Sequence, residues 1–222
     1  MITSIIQNSY RWSTLLFIVL VYTSCVSVKT TSLWDEKSDT QEPEHIGRFY
    51  GLSVLPEGIS SEVWFTENAK CLMVTNSDDV VHSGEKGLHL KWDKRAGGCD
   101  WVGMGIGWDS WTGKDLTSIL DSAVIQIMVK GADGPLASLP LAASLEDYSG
   151  NQAWIGFHKK YFGNVTEAGW TTVQLPLSDF SWNEFNADYS NVKQFIIQFE
   201  ASGEAYFDDI QIVRKHDSKT SE

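Results

Sequence analysis

Ten short segments with alternating apolar and polar residues constrain the fold of this chain more than any other feature. In one of them Ala123, Ile125 and Ile127 lie on one face, and Gln126 lies on the other. Successive side chains of a strand point to opposite faces of its sheet, so this period predicts strands with one buried face. The segments are residues 63–66, 72–75, 88–93, 102–108, 123–130, 141–146, 153–158, 172–177, 195–200 and 205–213. Regularly spaced short strands predict an all-β fold, an antiparallel two-sheet β-sandwich of the jelly-roll kind.

The predicted exposed faces carry amides, carboxylates and tryptophan where lysine and threonine are usual. The residues concerned are Gln126, Glu146, Gln198, Glu200 and Trp154. Planar hydrogen-bonding groups beside aromatic rings suit the hydroxyl groups and the C–H faces of sugars. The alternative is an ordinary solvated face, which explains any single glutamine equally well.

Residues 101–111 read Trp-Val-Gly-Met-Gly-Ile-Gly-Trp-Asp-Ser-Trp and form the most informative stretch for function. Alternation places four residues on an apolar face that suits a core: Val102, Met104, Ile106 and Trp108. The opposite face carries Trp101 followed by Gly103, Gly105 and Gly107. Glycine occurs in strands where a ligand or another backbone comes close, so this face predicts a flat strip for a sugar chain. Alternatively, large side chains cover the glycines, or the glycines form bulges.

Four aromatic residues besides Trp101 are candidates for the same function. Trp108 and Trp154 would add stacking surfaces along the sheet face, whereas Trp111 and Tyr148 lie in predicted loops and suit a site at the rim. Because the order of the strands is not determined by the sequence, these residues need not share one face.

The net charge of the chain restricts its partners. The 222 residues include 29 Asp and Glu but only 17 Lys and Arg, so the formal charge is -12. This excess disfavours nucleic acid, anionic polysaccharides and anionic membrane surfaces. A neutral polysaccharide is the expected ligand.

Residues 1–24 are predicted to be a lipoprotein signal peptide. An apolar run over residues 15–22 is too short to span a bilayer and is followed by Thr23, Ser24 and Cys25. This ending resembles a bacterial lipobox in which Tyr22 replaces the usual leucine. Cys25 is then the lipidated N-terminus of an exported protein anchored at the outer membrane or cell surface. The alternative is simple secretion, with Cys25 inside the cleaved peptide.

Composition divides the remaining chain into three parts. Residues 25–44 are polar without apolar periodicity and predict a flexible tether. Residues 45–214 contain all ten predicted strands and form the β-sandwich domain. Residues 215–222 are a short polar tail.

The other two cysteines, Cys71 and Cys99, are predicted to form a disulfide. An oxidising compartment favours pairing, and neither residue lies in a spacing typical of metal ligands. The alternative is two free, buried thiols.

Four stretches resemble non-catalytic carbohydrate-binding modules with the galactose-binding-like jelly roll. They are residues 80–90, residues 115–117 before the strand at 123–131, residues 170–180, and residues 203–212. The resemblance implies two antiparallel sheets that bind glycans along a sheet face or at a loop rim. It also implies a structural calcium ion bound by Asp208 or Asp209, with a backbone carbonyl from the loop at 83–87.

These observations predict a lipoprotein that binds a neutral, β-glucan-like polysaccharide without catalysis. Enzymes that degrade this polysaccharide are its predicted partners. One alternative is a glycoside hydrolase or lyase, which needs two suitably placed carboxylates such as Glu146, Asp147 or Glu200. No motif of a nucleophile and its base supports that alternative. Another is an adhesive surface protein, because a fold does not determine a function.

Overall fold

Two β-sheets face each other and contain a strand at each of the ten predicted segments. The computed structural model describes residues 44–45, 52–55, 57–134, 136 and 138–215, without the side chains of residues 44, 45, 52 and 108. These residues belong to one compact unit. The strands are β1 (Glu44–His45), β2 (Leu52–Leu55), β3 (Val63–Phe65), β4 (Leu72–Ser77), β5 (Gly87–Asp93), β6 (Gly103–Ile106), β7 (Lys114–Asp115), β8 (Ala123–Gly131), β9 (Leu141–Asp147), β10 (Gln152–Gly156), β11 (Phe162–Val165), β12 (Thr171–Pro176), β13 (Val192–Phe199) and β14 (Ser202–Arg214).

Helical structure within the described ranges is limited to single turns. The short α-helical segment α1 is Lys94–Gly97, and the segment α2 (Trp108–Trp111) is a single turn in which residues 109–111 are left-handed. The 3-10 turns are Thr117–Ile119, Lys159–Tyr161 and Leu177–Asp179. The predicted all-β sandwich is therefore confirmed.

The first sheet is built around β13. This strand pairs antiparallel with β6 on one side and with β9 on the other, and β3 and β10 lie outside those two. Its start also pairs with β7, which β1 joins in parallel. Five strands thus lie side by side in the order β3, β6, β13, β9 and β10.

The second sheet has the order β11, β12, β8, β14, β5 and β4, and β2 pairs with the end of β14. Its pairs are all antiparallel. The register of β14 shifts against β8 between Asp208 and Gln211, which marks a bulge.

Alternating residues of both sheets form the core between them. Met104 and Ile106 of β6 pair with Ile197 and Phe195 of β13 on the inner face of the first sheet, and all four are buried. The second sheet contributes Leu88, Leu90, Ile125 and Ile127. Each large apolar side chain contributes about 1.5–3 kcal/mol when fully buried. The faces predicted from the alternation are therefore correct for these strands.

The predicted disulfide between Cys71 and Cys99 is present. It joins the start of β4 to the loop after α1, with the two Cα atoms 6.3 Å apart. Cys71 is fully buried, so the bond also belongs to the core.

The predicted signal peptide, the lipidation site Cys25, the tether up to residue 43 and the tail beyond residue 215 lie outside the described residues. None of the helices that are described has the length and apolar character needed to cross a membrane.

Candidate functional site

The glycines of β6 and the residue after it are covered by three tryptophan rings on the outer face of the first sheet. Trp101 lies over Gly103, Trp64 over Gly105 and Trp111 over Gly107, and a Cβ atom at any of these glycines would lie 2.2–2.3 Å from an indole ring atom. The predicted bare strip is therefore wrong, and the alternative that side chains cover the glycines is correct. The glycines are needed because any larger residue would push the rings off the strand.

Trp101, Trp64 and Trp111 form a line that we call the tryptophan row. Their glycines are two residues apart, so adjacent positions are separated by about 6.5–7 Å along the strand. The ring centroids of Trp64 and Trp101 are 5.9 Å apart and their planes differ by 26°. Trp101 is 41% exposed, and Trp64 and Trp111 are half-buried. The row is thus a narrow aromatic surface about 13 Å long, with three flat positions.

Trp111 reaches the row through a left-handed turn. Asp109, Ser110 and Trp111 all have positive φ angles, of 54°, 54° and 66°. Such conformations cost about 1–3 kcal/mol for each residue that is not glycine. This turn directs the third indole back over Gly107, where α2 begins.

Three contacts hold the left-handed turn. The Ser110 amide donates to the Glu62 carboxylate, the buried Lys114 ammonium pairs with Asp109, and the Tyr148 hydroxyl donates to the Trp111 carbonyl. Lys114 is fully buried, and a buried charge needs such a partner. Strain of this kind, overcome by charged and hydrogen-bonded contacts, is typical of functional sites.

The ring of Trp64 is oriented by a chain of polar side chains. Its indole N–H donates to Gln194 Oε1 at 2.7 Å, and Gln194 Nε2 donates to Glu146 Oε1 at 3.0 Å. Glu146 also accepts from Gln152 Nε2 at 2.6 Å and lies 3.7 Å from Lys193 Nζ. These bonds fix the ring angle before any ligand arrives.

A matching chain orients Trp101. Its indole N–H donates to Gln198 Oε1 at 2.9 Å, and Gln198 Nε2 donates to Glu200 Oε1 at 2.6 Å. Lys94 Nζ donates to both Glu200 oxygens, at 2.9 and 3.0 Å. Both glutamines lie on the same face of β13, four residues apart, and bind the indole N–H groups, so their amides are already used within the protein.

Acid is expected to weaken the orientation of Trp101. Hydrogen bonds from Lys94, and then from Gln198, lower the pKa of the Glu200 carboxyl from its ordinary value of 4.5. A lowered pKa means that the stabilisation is complete above pH 4.5 and is lost as the pH falls through the lowered value. Ligand affinity and tryptophan fluorescence should therefore stay constant from neutral pH to about 4.5 and change below it.

The matched control for the pH experiment is Glu200→Gln, which cannot titrate. In this variant, the change in tryptophan fluorescence below pH 4.5 should lack the part that comes from Trp101. An identical transition in the variant would show that another group controls it.

Comparison with known families identifies the domain. The family model for carbohydrate binding domain 30 matches residues 59–214. The chain belongs to this family of carbohydrate-binding domains. All strands except β1 and β2, and the whole tryptophan row, lie within the matched region.

Solved structures show the same fold in this family. A family 30 module of the cellulosomal cellulase Cel9D-Cel44B of Clostridium thermocellum has a TM-score of 0.60 at 15% identity, covering 76% of this chain and all of that chain. A second family 30 module has a TM-score of 0.61 at 15% identity, with coverages of 79% and 93%. A β-1,2-glucanase from Parabacteroides distasonis has a TM-score of 0.51 at 11% identity, covering 75% of this chain and 25% of that enzyme. Comparison with curated proteins found no match.

This carbohydrate-binding domain brings only part of the predicted site together. Trp101, Trp111, Gln198 and Glu200 lie in or beside the row, and Glu146 supports Trp64. Tyr148 donates its hydroxyl hydrogen bond to the Trp111 carbonyl and so lies beside the Trp111 end of the row. The side chain of Trp108 is outside the described atoms, although its backbone begins α2.

Two predicted residues lie away from the row. Gln126 is on β8 of the second sheet, where it accepts a hydrogen bond from Gln174, so it does not share the face of the row. Trp154 shares the outer face but lies on β10 at the far edge, three strands from β6 or about 14 Å. The alternation could not show that these two residues lie away from the row, because it does not specify which strands are neighbours.

Two residues of the site were not predicted. Trp64 alternates with the inward-facing Val63 and Phe65, and Gln194 lies one step before the predicted segment 195–200. Extending the alternation of that segment by one residue would have identified Gln194. Trp64 could be found only from the pairing of β3 with β6, because that pairing places it opposite Gly105.

The carboxylates at the predicted calcium position make hydrogen bonds within the protein. Asp208 Oδ2 accepts from the backbone amides of His82 and Ser83, and Asp208 Oδ1 accepts from the Asp209 amide. The Asp209 carboxylate contacts the His82 ring and the Ser83 hydroxyl. The Val80 and Phe207 carbonyl oxygens and Asp208 Oδ2 also lie within 4 Å of the position of a Cβ atom at Gly87. Oxygen atoms of the kind that calcium binds are therefore near Asp208, and the calcium ion stays a prediction. In the part of the chain that is described, no group of three His, Cys, Asp or Glu side chains could hold a metal.

Chelation tests the calcium prediction, because a metal that binds only the folded state raises the melting temperature. Hydrogen bonds within the protein already hold Asp208 and Asp209, so we expect chelation to leave the melting temperature unchanged. The measurement is a thermal melt with EDTA and with added calcium, accompanied by metal analysis. A melting temperature that rises with calcium would support the calcium site that the sequence predicts.

Proposed function

We propose that this chain binds a linear, neutral, β-glucan-like polysaccharide without catalysis, along the tryptophan row. The observation that carries the proposal is the arrangement of three indole rings in line on the glycines of one strand. A flat aromatic face suits the C–H face of a pyranose ring, and three such faces suit consecutive sugar residues of an extended chain.

Preorganisation supports this function. The indole N–H groups of Trp64 and Trp101 are held by Gln194 and Gln198, so two of the rings are oriented before binding. Rigid contact surfaces reduce the entropy cost of association. Aromatic contacts contribute about 0.5–1.5 kcal/mol each beyond area burial, so three rings and a few hydrogen bonds predict Kd values of roughly micromolar to millimolar.

The charge of the protein favours a neutral polysaccharide of glucose-like residues. The protein carries a formal charge of -12, which repels acidic polysaccharides. The neighbouring structures come from a cellulase and a β-1,2-glucanase, which makes glucans the first ligands to test. Enzymes that degrade such a polysaccharide are the partners we propose.

The test is affinity electrophoresis on a panel of neutral glucans, xylans and mannans, with a charged pectin for comparison. Retardation by a neutral β-glucan supports the proposal. Retardation by pectin alone would show an anionic ligand and contradict it. Retardation by none of the polysaccharides also contradicts it and would favour a role in protein adhesion.

A glycoside hydrolase is not supported by the carboxylates that the sequence suggested. Glu146 and Glu200 hold the glutamines of the row, and Asp147 is buried and accepts amide hydrogen bonds from Ser149, Asn151 and Asp188. A glycosidase needs a carboxylic acid that stays protonated near neutral pH. The lowered pKa of Glu200 works against that role. Incubation with the bound glucan should therefore release no reducing sugar.

We also propose that the domain is displayed on a membrane through a lipid on Cys25. The Cys25→Ser variant is expected to be released from membranes or to remain an uncleaved precursor, because the lipid is attached to the thiol of this cysteine. Fractionation and intact-mass measurement of the natively exported protein test this. Cleavage at another position without an acyl chain would contradict the anchor.

A further inference from the structure

A cleft continues the outer face beyond the Trp101 end of the tryptophan row. Its lining residues include Lys94, Arg95, Cys99, Asp100 and Glu200. Asp100 immediately precedes Trp101, and Glu200 accepts from the glutamine that orients Trp101. The volume is about 480 Å³, within the range of roughly 300–1,000 Å³ of ligand pockets. The cleft therefore begins where the aromatic surface ends.

The wall of the cleft is rigidly built. The Asp93 carboxylate accepts from the Ala96 amide at 2.8 Å and caps α1, and Gly98 ends the segment with a left-handed φ of 70°. The Lys94 amide donates to the Ala201 carbonyl at 2.9 Å, and Cys99 is bound to Cys71 through the disulfide. A ligand entering this cleft would thus meet preformed walls, which lowers the ordering cost of binding.

The charged groups of the cleft are balanced and partly unused. Lys94 is paired with Glu200, whereas the side chains of Arg95 and Asp100 make no hydrogen bond or ion pair with the described residues. A guanidinium supplies only donors and a carboxylate only acceptors, so together they match adjacent hydroxyl groups of a sugar. Two cations and two carboxylates leave no net charge to attract an anion.

We propose that this cleft is a fourth sugar subsite, in line with the three rings, which binds a neutral pyranose residue through Arg95 and Asp100. The inference rests on the proposed binding of a glucan along the tryptophan row and adds a polar position at one end of it. The row then supplies stacking for any suitable glucan, and the cleft forms hydrogen bonds with the hydroxyl groups of one sugar residue.

The test is titration calorimetry of the full chain with β-linked gluco-oligosaccharides from the trisaccharide to the hexasaccharide. Affinity should increase by about tenfold at the length that first reaches the cleft, which is the value of one or two hydrogen bonds. Arg95→Ala and Asp100→Asn should each remove this increase while leaving trisaccharide affinity unchanged. Arg214→Ala, an exposed arginine on β14 of the second sheet, is the matched control and should keep it.

The outcomes separate the subsite from the row. An increase that survives in both variants, or that is missing from the wild type while the trisaccharide still binds, overturns the subsite and leaves the row intact. Failure of every oligosaccharide to bind overturns both. An oligosaccharide of equal length that bears a uronic acid is titrated as the charge control. Tighter binding of this acid than of the neutral oligosaccharide, weakened by salt, would overturn the neutral assignment.

Discussion

Replacing Trp64 with alanine is expected to weaken polysaccharide binding by about 2 kcal/mol, which is roughly thirtyfold in Kd. Trp64 is the central ring of the row, so its loss removes one stacking position and separates the remaining two. Gln194, which holds its indole N–H, would also lose its partner. Affinity electrophoresis and calorimetry on the glucan that binds the wild type provide the measurement.

A second variant tests the same ring without removing it. A Cβ atom at Gly105 would lie 2.3 Å from Trp64 Cε2, so Gly105→Ala should displace the ring and lower affinity while the sheet stays folded. Phe185→Ala is the control, because this phenylalanine is 45% exposed and lies outside the row. Equal affinity in Trp64→Ala, Gly105→Ala and the wild type would exclude the row as the binding surface.

Breaking the disulfide is expected to cost about 3–4 kcal/mol of the free energy of unfolding. Cys71 and Cys99 are 28 residues apart in sequence, and a bond across a loop of this length restricts the unfolded chain. The double variant Cys71→Ala/Cys99→Ala should therefore unfold at a lower urea concentration than the wild type. Because Cys99 also lines the cleft beside Trp101, the oligosaccharide-length dependence of binding should change with it.

The wild type with its disulfide reduced provides the comparison for this experiment. Reduction should shift the unfolding midpoint in the same direction as the double variant, since both release the same loop. Equal midpoints for the oxidised and reduced proteins would show that the bond adds no stability.

The alternation of apolar and polar residues made the strands predictable, because it depends only on the local backbone conformation. Each residue of an extended segment faces one side of its sheet whatever the neighbouring strands are, so Met104 and Phe195 could be assigned to the core from the sequence. The cysteine pairing was also predictable, because only two cysteines remain in the domain after Cys25.

The alternation did not predict which side chains cover the glycines of β6. Gly103, Gly105 and Gly107 indicated that something large approaches β6, but the three rings come from a neighbouring strand, from the residues just before β6, and from a strained turn after it. The Asp208 and Asp209 pair likewise suggested a metal, whereas the fold supplies N–H donors from a loop more than 100 residues earlier.

The sequence by itself determined that this chain folds into a two-sheet sandwich with aromatic and amide groups on its outer faces. Tertiary structure alone decided which of those groups meet, because strand order and loop conformation depend on contacts between residues that are distant in sequence. The antiparallel pairing of β3 with β6 brings Trp64 onto Gly105, and the pairing of β6 with β13 brings Gln194 and Gln198 to the indole N–H groups. The strand order also places Gln126 on the other sheet and leaves Trp154 at the far edge.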